Sequence, residues 1–261
     1  MRNLKRKLSI LTAGGQDSIR FYLLRFIARR VMPNYRLRWH SLAWWDDADF
    51  NAYLVRFGET GSLNIDRRWA IHQLLRLVSD VPGDTAECGV YLGATSYLIA
   101  KANQQAAGFS RKHFLFDSFA GLSEPNASDG RYWRKGDLSA GEEIVRENLR
   151  DCENIVFMKG WIPERFDEVA DRTFAFVHID VDLYEPTRQA IDFFYPRLND
   201  GGIMVLDDLG FTTCPGVERA INEALGNIAG QLIALPDGGG FLIKGRSVAP
   251  AATLSGSQAE R

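Results

Sequence analysis

Short apolar runs, each stopping at a polar residue or a glycine, recur along the chain from about residue 85 onward, with stretches of helical spacing between them. His113-Phe-Leu-Phe-Asp117, Asn154-Ile-Val-Phe-Met158, Phe174-Ala-Phe-Val-His-Ile179 and Gly202-Ile-Met-Val-Leu206 are nearly continuous in strand-forming residues. Runs of that kind suit strands buried on both faces, as in a parallel sheet, whereas a half-exposed strand alternates. A first strand is predicted at Thr85-Ala-Glu87-Cys88, behind the turn Pro82-Gly83. Helices are predicted over Arg67–Val78, just after Ser96, from a Ser139-x-x-Glu142 capping box to Leu149, from Pro186 to Arg197, and onward from Pro215. Strand alternating with helix predicts an α/β fold. Near the end, Gln231–Leu235 and Gly240–Lys244 flank Pro236-Asp-Gly-Gly-Gly, which predicts an antiparallel hairpin.

The first 57 residues read differently. Phe21–Met32 is compatible with a helix that Pro33 ends, and Arg20, Arg25, Arg29 and Arg30 are scattered around it rather than gathered on one face. A packing segment is the expectation, with a substrate lid, a homo-oligomer contact or a membrane-surface helix as alternatives. Trp39, Trp44 and Trp45 precede Asp46, Asp47 and Asp49 and suit a surface anchor, or else a sugar or aromatic pocket. Residues 1–57 are taken as a basic, aromatic N-terminal extension, 58–245 as the main domain and 246–261 as a disordered tail.

Composition narrows the class. Hydrophobic content of 46% and charged content of 25% are ordinary for a soluble globular protein, and a net charge of −2 gives no overall attraction to nucleic acid. Residues 1–40 nonetheless hold ten Lys or Arg and a single acid, Asp17. No apolar run approaches the ~18 residues of a transmembrane span, and no secretory signal is expected. The three cysteines, Cys88, Cys152 and Cys214, are odd in number and lack a CxxC spacing, so neither a disulfide framework nor a zinc site is expected. A reducing cytoplasm is the expected compartment.

Candidate chemistry collects where the strands stop. Asp180 follows one apolar run and Asp207-Asp208 follows another. If the two strands are neighbours, the three carboxylates meet, and they repel one another unless something positive lies between them. A hard divalent cation is the natural occupant. Glu87-x-Gly89-x-Tyr91-x-Gly93-x-Thr95-Ser96 reads as a strand, a glycine turn and a helix start, where backbone N–H groups and the helix dipole are offered to a ligand. Glu87 would repel a pyrophosphate and suits an ammonium group, so the corner leans toward S-adenosylmethionine rather than a nicotinamide dinucleotide. Asp117, ending the second strand, stands where such folds bind ribose hydroxyls, and Gly160-Trp161 stands where adenine would lie. The long loop 118–133 reads as a lid, with Asp129, Arg131, Tyr132 and Trp133 as acceptor contacts. His178 competes with Asp180 as a base, although alternation favours a structural place for it inside the sheet. If the strand continued that far, Asp182 is expected to face away from Asp180. Tyr184 and Glu185 are expected to shape the following turn, with Tyr184 also a candidate to face the acceptor.

Five αβ units closed by a hairpin look like the Rossmann-like, seven-stranded sheet of class I methyltransferases. Within that class the motifs resemble the macrocin-type sugar O-methyltransferases, over roughly residues 58–245. The matching stretches are Ala86-Glu-Cys-Gly-Val90, Phe116-Asp-Ser-Phe-Ala-Gly-Leu122, Gly160-Trp161, Ile179-Asp-Val-Asp-Leu-Tyr-Glu-Pro-Thr187 and Leu206-Asp-Asp208. The resemblance implies S-adenosylmethionine held by Glu87 and Asp117, with Ser118 and Gly160-Trp161 near the adenine. It also implies Mg2+ held by Asp180, Asp207 and Asp208, with Asp180 as the base beside the cofactor. The implied acceptor is a hydroxyl of a sugar-containing small molecule. A catechol-type O-methyltransferase and a non-catalytic S-adenosylmethionine-binding protein are the competing readings.

Overall fold

The computed structural model describes residues 15–31, 43–62, 64–106, 108, 110–236 and 238–249. It divides into two compact units, Met1–Thr60 and Gly61–Arg261. The first contains α1 (Gly15–Val31), which begins earlier than the predicted Phe21, and α2 (Ala48–Arg56). Asp47 caps α2 by accepting the Phe50 N–H at 2.8 Å, satisfying one of the donors a helix start leaves unpaired. Phe50, Tyr53 and Leu54 form the buried face of α2, and Trp44 meets the Phe50 ring edge-on at 6.1 Å, an anchoring contact. Trp39, the Trp45 side chain, the basic residues of 1–14 and the tail from residue 250 lie outside the described residues. Among the described residues, no helix is long and apolar enough to cross a membrane.

The second unit runs α3 (Ile65–Leu74), β1 (Asp84–Cys88), α4 (Ala94–Gln105), β2 (His113–Asp117), α5 (Glu142–Asn148), β3 (Ile155–Lys159), β4 (Phe174–Ile179), α6 (Tyr184–Arg197), β5 (Leu198–Leu206), α7 (Pro215–Leu225), β6 (Ile233–Ala234) and β7 (Gly240–Ile243). They build one seven-stranded sheet in the order β3-β2-β1-β4-β5-β7-β6. The first five strands are parallel, and β7 runs antiparallel to both β5 and β6. This is the expected α/β methyltransferase fold.

Other helix starts also differ from expectation, and α6 begins at Tyr184, two residues before the predicted Pro186. The predicted helix over Arg67–Val78 begins two residues earlier, at Ile65, and tightens into a 3-10 turn from Leu75. The Ser139-x-x-Glu142 capping box does not form. Gly141 is the N-cap without a side-chain bond, and Glu142 instead holds Arg146 at 2.6 Å and Lys159 at 3.2 Å.

Alternation along β2 sets up the two faces of the sheet. Phe114 and Phe116 join Phe166, Phe174 and Phe194 on one side, while Leu115 joins Val145, Leu149 and Phe119 on the other. The Phe194 ring, carried on α6, lies edge-on to Phe116 at 5.5 Å and to Phe174 at 5.0 Å. Each such fully buried ring contributes about 1.5–3 kcal/mol relative to exposure, so the sheet beneath the strand ends is firmly held. The carboxyl ends of β1, β2, β4 and β5 lie along one edge, the place where open α/β sheets bind ligands.

Candidate active site

The β4 and β5 tips are neighbours, and their carboxylates converge. Ile179 is in register with Leu206, and the Asp207 N–H donates to the Ile179 carbonyl at 3.0 Å. Asp180, Asp207 and His178 each bring a ligand atom within 4.8 Å of the others. His178 is fully buried and opposite Glu87 in the β1–β4 register. Its Nδ1 lies 3.0 Å from Glu87 Oε1 and its Nε2 3.5 Å from Asp207 Oδ1. Burial opposes charge on His178, but the bonds to Asp207 and Glu87 outweigh it and raise its pKa to about 10. An imidazolium with a carboxylate at each nitrogen has no lone pair for an incoming proton.

Asp207 is also held by Arg67, at the start of α3, whose Nη1 pairs with Asp207 Oδ2. Burial works against ionisation of Asp207, yet the His178 bond and the Arg67 charge bring its pKa down to about 2. Among the described residues, Asp180 has no ion pair of that kind, and the His178 and Arg67 charges act on it only from further off. Burial and then the Asp207 charge push it up to about 8.

Asp208 turns away from this pair into an adjoining group with Asp182 and Cys214. The expectation that Asp182 faces away from the site is corrected here. β4 stops at Ile179, and Asp182, at φ 58°, lies in a turn that brings its N–H to Asp208 Oδ2 at 3.0 Å. Cys214 donates to Asp182 Oδ1 at 3.5 Å, and Trp133 Nε1 donates to Cys214 Sγ at 3.3 Å. Burial raises Asp182 to about 6, and burial together with the charges of Asp182, Asp180 and Asp207 raises Asp208 well above the usual range. Glu87, Asp180, Asp182, Asp207 and Asp208 thus face Arg67 and His178 with acid in excess. Hard oxygen donors in excess of their counter-charges are a donor set that fits a divalent cation such as Mg2+.

The β1 corner is built by backbone contacts. Asp117 accepts from Val90 N at 2.7 Å, Tyr91 N at 3.3 Å and Phe119 N at 2.6 Å, and the Gly160 N–H donates to the Asp117 carbonyl at 3.0 Å. Ser118 Oγ closes the next turn on the Gly121 carbonyl at 2.8 Å, and Trp161 N donates to Glu164 at 3.1 Å. Burial raises the Asp117 pKa despite the three N–H groups. Tyr91 is exposed beside this corner. Gly89, at φ +81°, is required by a neighbouring strand end: a Cβ there would sit 1.7 Å from the Asp180 carbonyl oxygen. Gly93, at φ +85°, faces Val145 and Leu149.

Several of the side chains expected at ligands make contacts within the protein. Glu87 is 1% exposed and binds Ser96 Oγ and His178, and Thr95 Oγ1 accepts from Arg68. Their carboxylate and hydroxyls are therefore turned inward, and His178 links Glu87 to the strand-tip edge. Tyr184 is buried, with its hydroxyl on Glu223 of α7 and its ring beneath Arg219, so it faces α7 rather than an acceptor. Asp129 is a pin and not an acceptor contact: buried, it accepts from Tyr184 N at 2.6 Å and Asn126 N at 2.8 Å. Tyr132 is exposed and lies edge-on to Trp133 at 4.8 Å, and Trp133 is joined to the second acid group through Cys214. Arg67, Asp182 and Cys214 are site residues that sequence reasoning missed. Arg67 is 140 positions from its partner and stands beside a second arginine, Arg68, in its helix, so no spacing marks it.

Residues 65–229 match the family described as Macrocin-O-methyltransferase (TylF). The chain is 30% identical over 170 residues to a demethyldecarbamoylnovobiocin O-methyltransferase of Streptomyces niveus, covering 60% of this chain and 64% of that protein. It is 29% identical over 149 residues to an 8-demethyl-8-(2,3-dimethoxy-alpha-L-rhamnosyl)-tetracenomycin-C 4'-O-methyltransferase of Streptomyces olivaceus, covering 53% and 57%. The chain therefore spans less than two thirds of the length of these relatives. Among solved structures, the O-methyltransferase NovP shares its fold with a TM-score of 0.61 and 28% identity, over 70% of this chain and 81% of that one. On the span of the family match, and with the sheet order and strand-tip acids in place, the chain belongs to the Macrocin-O-methyltransferase (TylF) family.

Proposed function

We propose that the protein is an S-adenosylmethionine-dependent O-methyltransferase that uses Mg2+ and methylates a hydroxyl of a sugar-bearing small molecule. The observation that carries this reading is the contact between the glycine corner and Asp180, whose N–H donates to the Cys88 carbonyl at 2.9 Å. A corner suited to the methyl donor and a cluster suited to a cation thereby share one strand-tip edge. The rhamnosyl group in the name of the Streptomyces olivaceus relative supports a sugar in the acceptor.

The backbone of Gly89–Gly93, Asp117, Ser118 and the Gly160-Trp161 turn would hold S-adenosylmethionine, which supplies an electrophilic methyl group. Asp180, Asp207 and Asp208 would hold Mg2+, which lowers the pKa of a bound hydroxyl. Asp180 accepts the proton of the acceptor hydroxyl at a carboxylate oxygen. His178 stays protonated and orients Asp207 from beneath. Asp117 fixes the corner through Val90, Tyr91 and Phe119, so the donor side is set before the acceptor arrives. Trp133, tied to Cys214, covers the acid groups and limits water.

The test is Asp180→Asn, assayed for methyl transfer to glycosylated acceptors and, separately, for cofactor binding. Loss of a positioned base is expected to lower kcat by about 10²–10⁴-fold with cofactor affinity kept. An undiminished rate would remove Asp180 from the role. Turnover indifferent to EDTA would remove the metal.

A further inference from the structure

We propose that Arg67 is a tethered counter-cation of the acid cluster: its guanidinium neutralises Asp207 in the ion-free protein and leaves that carboxylate when a divalent cation binds. This rests on the reading of Asp207 as a metal ligand and goes beyond it, since it assigns a competitor for the ligand.

Arg67 lies in the first turn of α3, remote in sequence from the strand tips. Its Nη1 is on Asp207 Oδ2, and its charge also acts on Asp180 and Asp208. It therefore faces the same three carboxylates that a cation would bridge. Asp207 already has one oxygen directed to His178 and the other to Arg67, so a cation that approaches Oδ2 meets the Arg67 charge there. Of the two partners, His178 is fully buried within the sheet, whereas the Arg67 side chain is 16% exposed on a long, rotatable stem. Arg67 is the partner that can yield.

The guanidinium also has a place to stay. Its Nη2 donates to Asn64 Oδ1 at 2.5 Å, and its Cζ stands 5.0 Å over the Phe211 ring. Asn64 precedes α3 and Phe211 follows the Asp207-Asp208 pair, so the two hold the arginine at the rim of the cluster after Asp207 is given up. A buried cluster of several carboxylates set against the His178 charge without Arg67 would be costly to fold without metal, because unpaired buried charges are strongly destabilising. An arginine on a flexible stem keeps the empty cluster foldable and still replaceable.

The experiment compares Mn2+ binding, followed by calorimetry and by the loss of its free-ion EPR signal, in the parent chain, Arg67→Gln and Arg67→Lys. Removing a like charge beside the cation is expected to tighten Mn2+ binding by about tenfold or more in Arg67→Gln, with Arg67→Lys between the two. In EDTA, Arg67→Gln is expected to melt lower than the parent, and saturating Mn2+ to close the gap. In the parent, modification at Arg67 by phenylglyoxal, read by mass spectrometry, is expected to rise several-fold on Mn2+ saturation. Tighter binding without that rise would mean repulsion at a distance and would overturn the displacement. Unchanged or weaker Mn2+ affinity in a folded Arg67→Gln would overturn the competition itself. No Mn2+ binding in the parent or either variant would overturn both this proposal and the metal reading it rests on, which separates the two failures.

Discussion

Asparagine in place of Asp207 and asparagine in place of Asp180 are the same chemical change on adjacent strand tips, and the structure predicts very different costs for them. Asp207 is 2% exposed and stands between His178 and Arg67, which together hold its pKa down to about 2 against the effect of burial. Asp207→Asn leaves a fully buried imidazolium and a largely covered guanidinium facing a neutral amide. Removing one partner of a buried charge pair costs about 3–5 kcal/mol. At roughly 2–4 °C per kcal/mol for a chain of this size, the melting temperature should fall by about 6–20 °C. Asp180 is the opposite case. Burial and the Asp207 charge already lift it to about 8, so its neutral form is favoured near pH 7 without metal, and Asn mimics that form. Asp180→Asn should stay within about 1 kcal/mol of the parent, on either side. Thermal melts followed by circular dichroism in EDTA near pH 7 decide it. A melting temperature for Asp180→Asn as low as that of Asp207→Asn would refute the assignment of which carboxylate the internal cations neutralise.

Other outcomes follow from the same geometry. Asp180, raised to about 8, and Asp182, raised to about 6, keep protons in the folded chain that the unfolded chain loses near pH 4, so the metal-free protein should lose stability as pH rises from about 5 to 8. His178, charged up to about 10 when folded, adds a loss in the same direction above about pH 6.5, and a flat profile in EDTA would contradict the shifts. S-adenosylmethionine at about 100 times its Kd should stabilise the parent by roughly 2.7 kcal/mol, and Asp117→Ala should abolish the shift in calorimetry. No shift in the parent would count against the cofactor. Gly89→Ala, which drives a Cβ into the Asp180 carbonyl at a positive φ, should cost at least about 2 kcal/mol and be read as a lowered melting temperature or insoluble expression. A parent-like melt would mean that the two strand ends can part.

What the sequence made legible, and what it hid, divide along physical lines. β2, β4 and β5 are continuous apolar runs because both faces of the central sheet are covered, so Phe114, Phe176 and Met204 mark their strands without tertiary information. Asp180 and Asp207 were legible for the same reason, as the first acids beyond those runs. Glu87 was visible as an acid but not as the partner of His178, because that pairing depends on β1 lying beside β4 in a particular register. Asp182 was misplaced because strand alternation puts residues 180 and 182 on the same face rather than opposite ones, and because β4 ends at Ile179, three residues before Asp182. Gly89 was legible as a glycine that had to be there, although the reason lies in the strand next door. Arg67 had no local signature at all.

That approach at Gly89 has a consequence for how such a protein can vary. The turn that would lie beneath the methyl donor on the proposed function and the peptide bearing Asp180 meet main chain to main chain, with only a hydrogen atom's worth of room at Gly89. Nothing can be inserted between them and neither can drift without the other, so the spacing of the two reaction partners is insulated from changes in the loop that carries Tyr132 and Trp133. On the proposed function, new acceptors would be accommodated by rewriting that loop while the distance the methyl must travel stays constant.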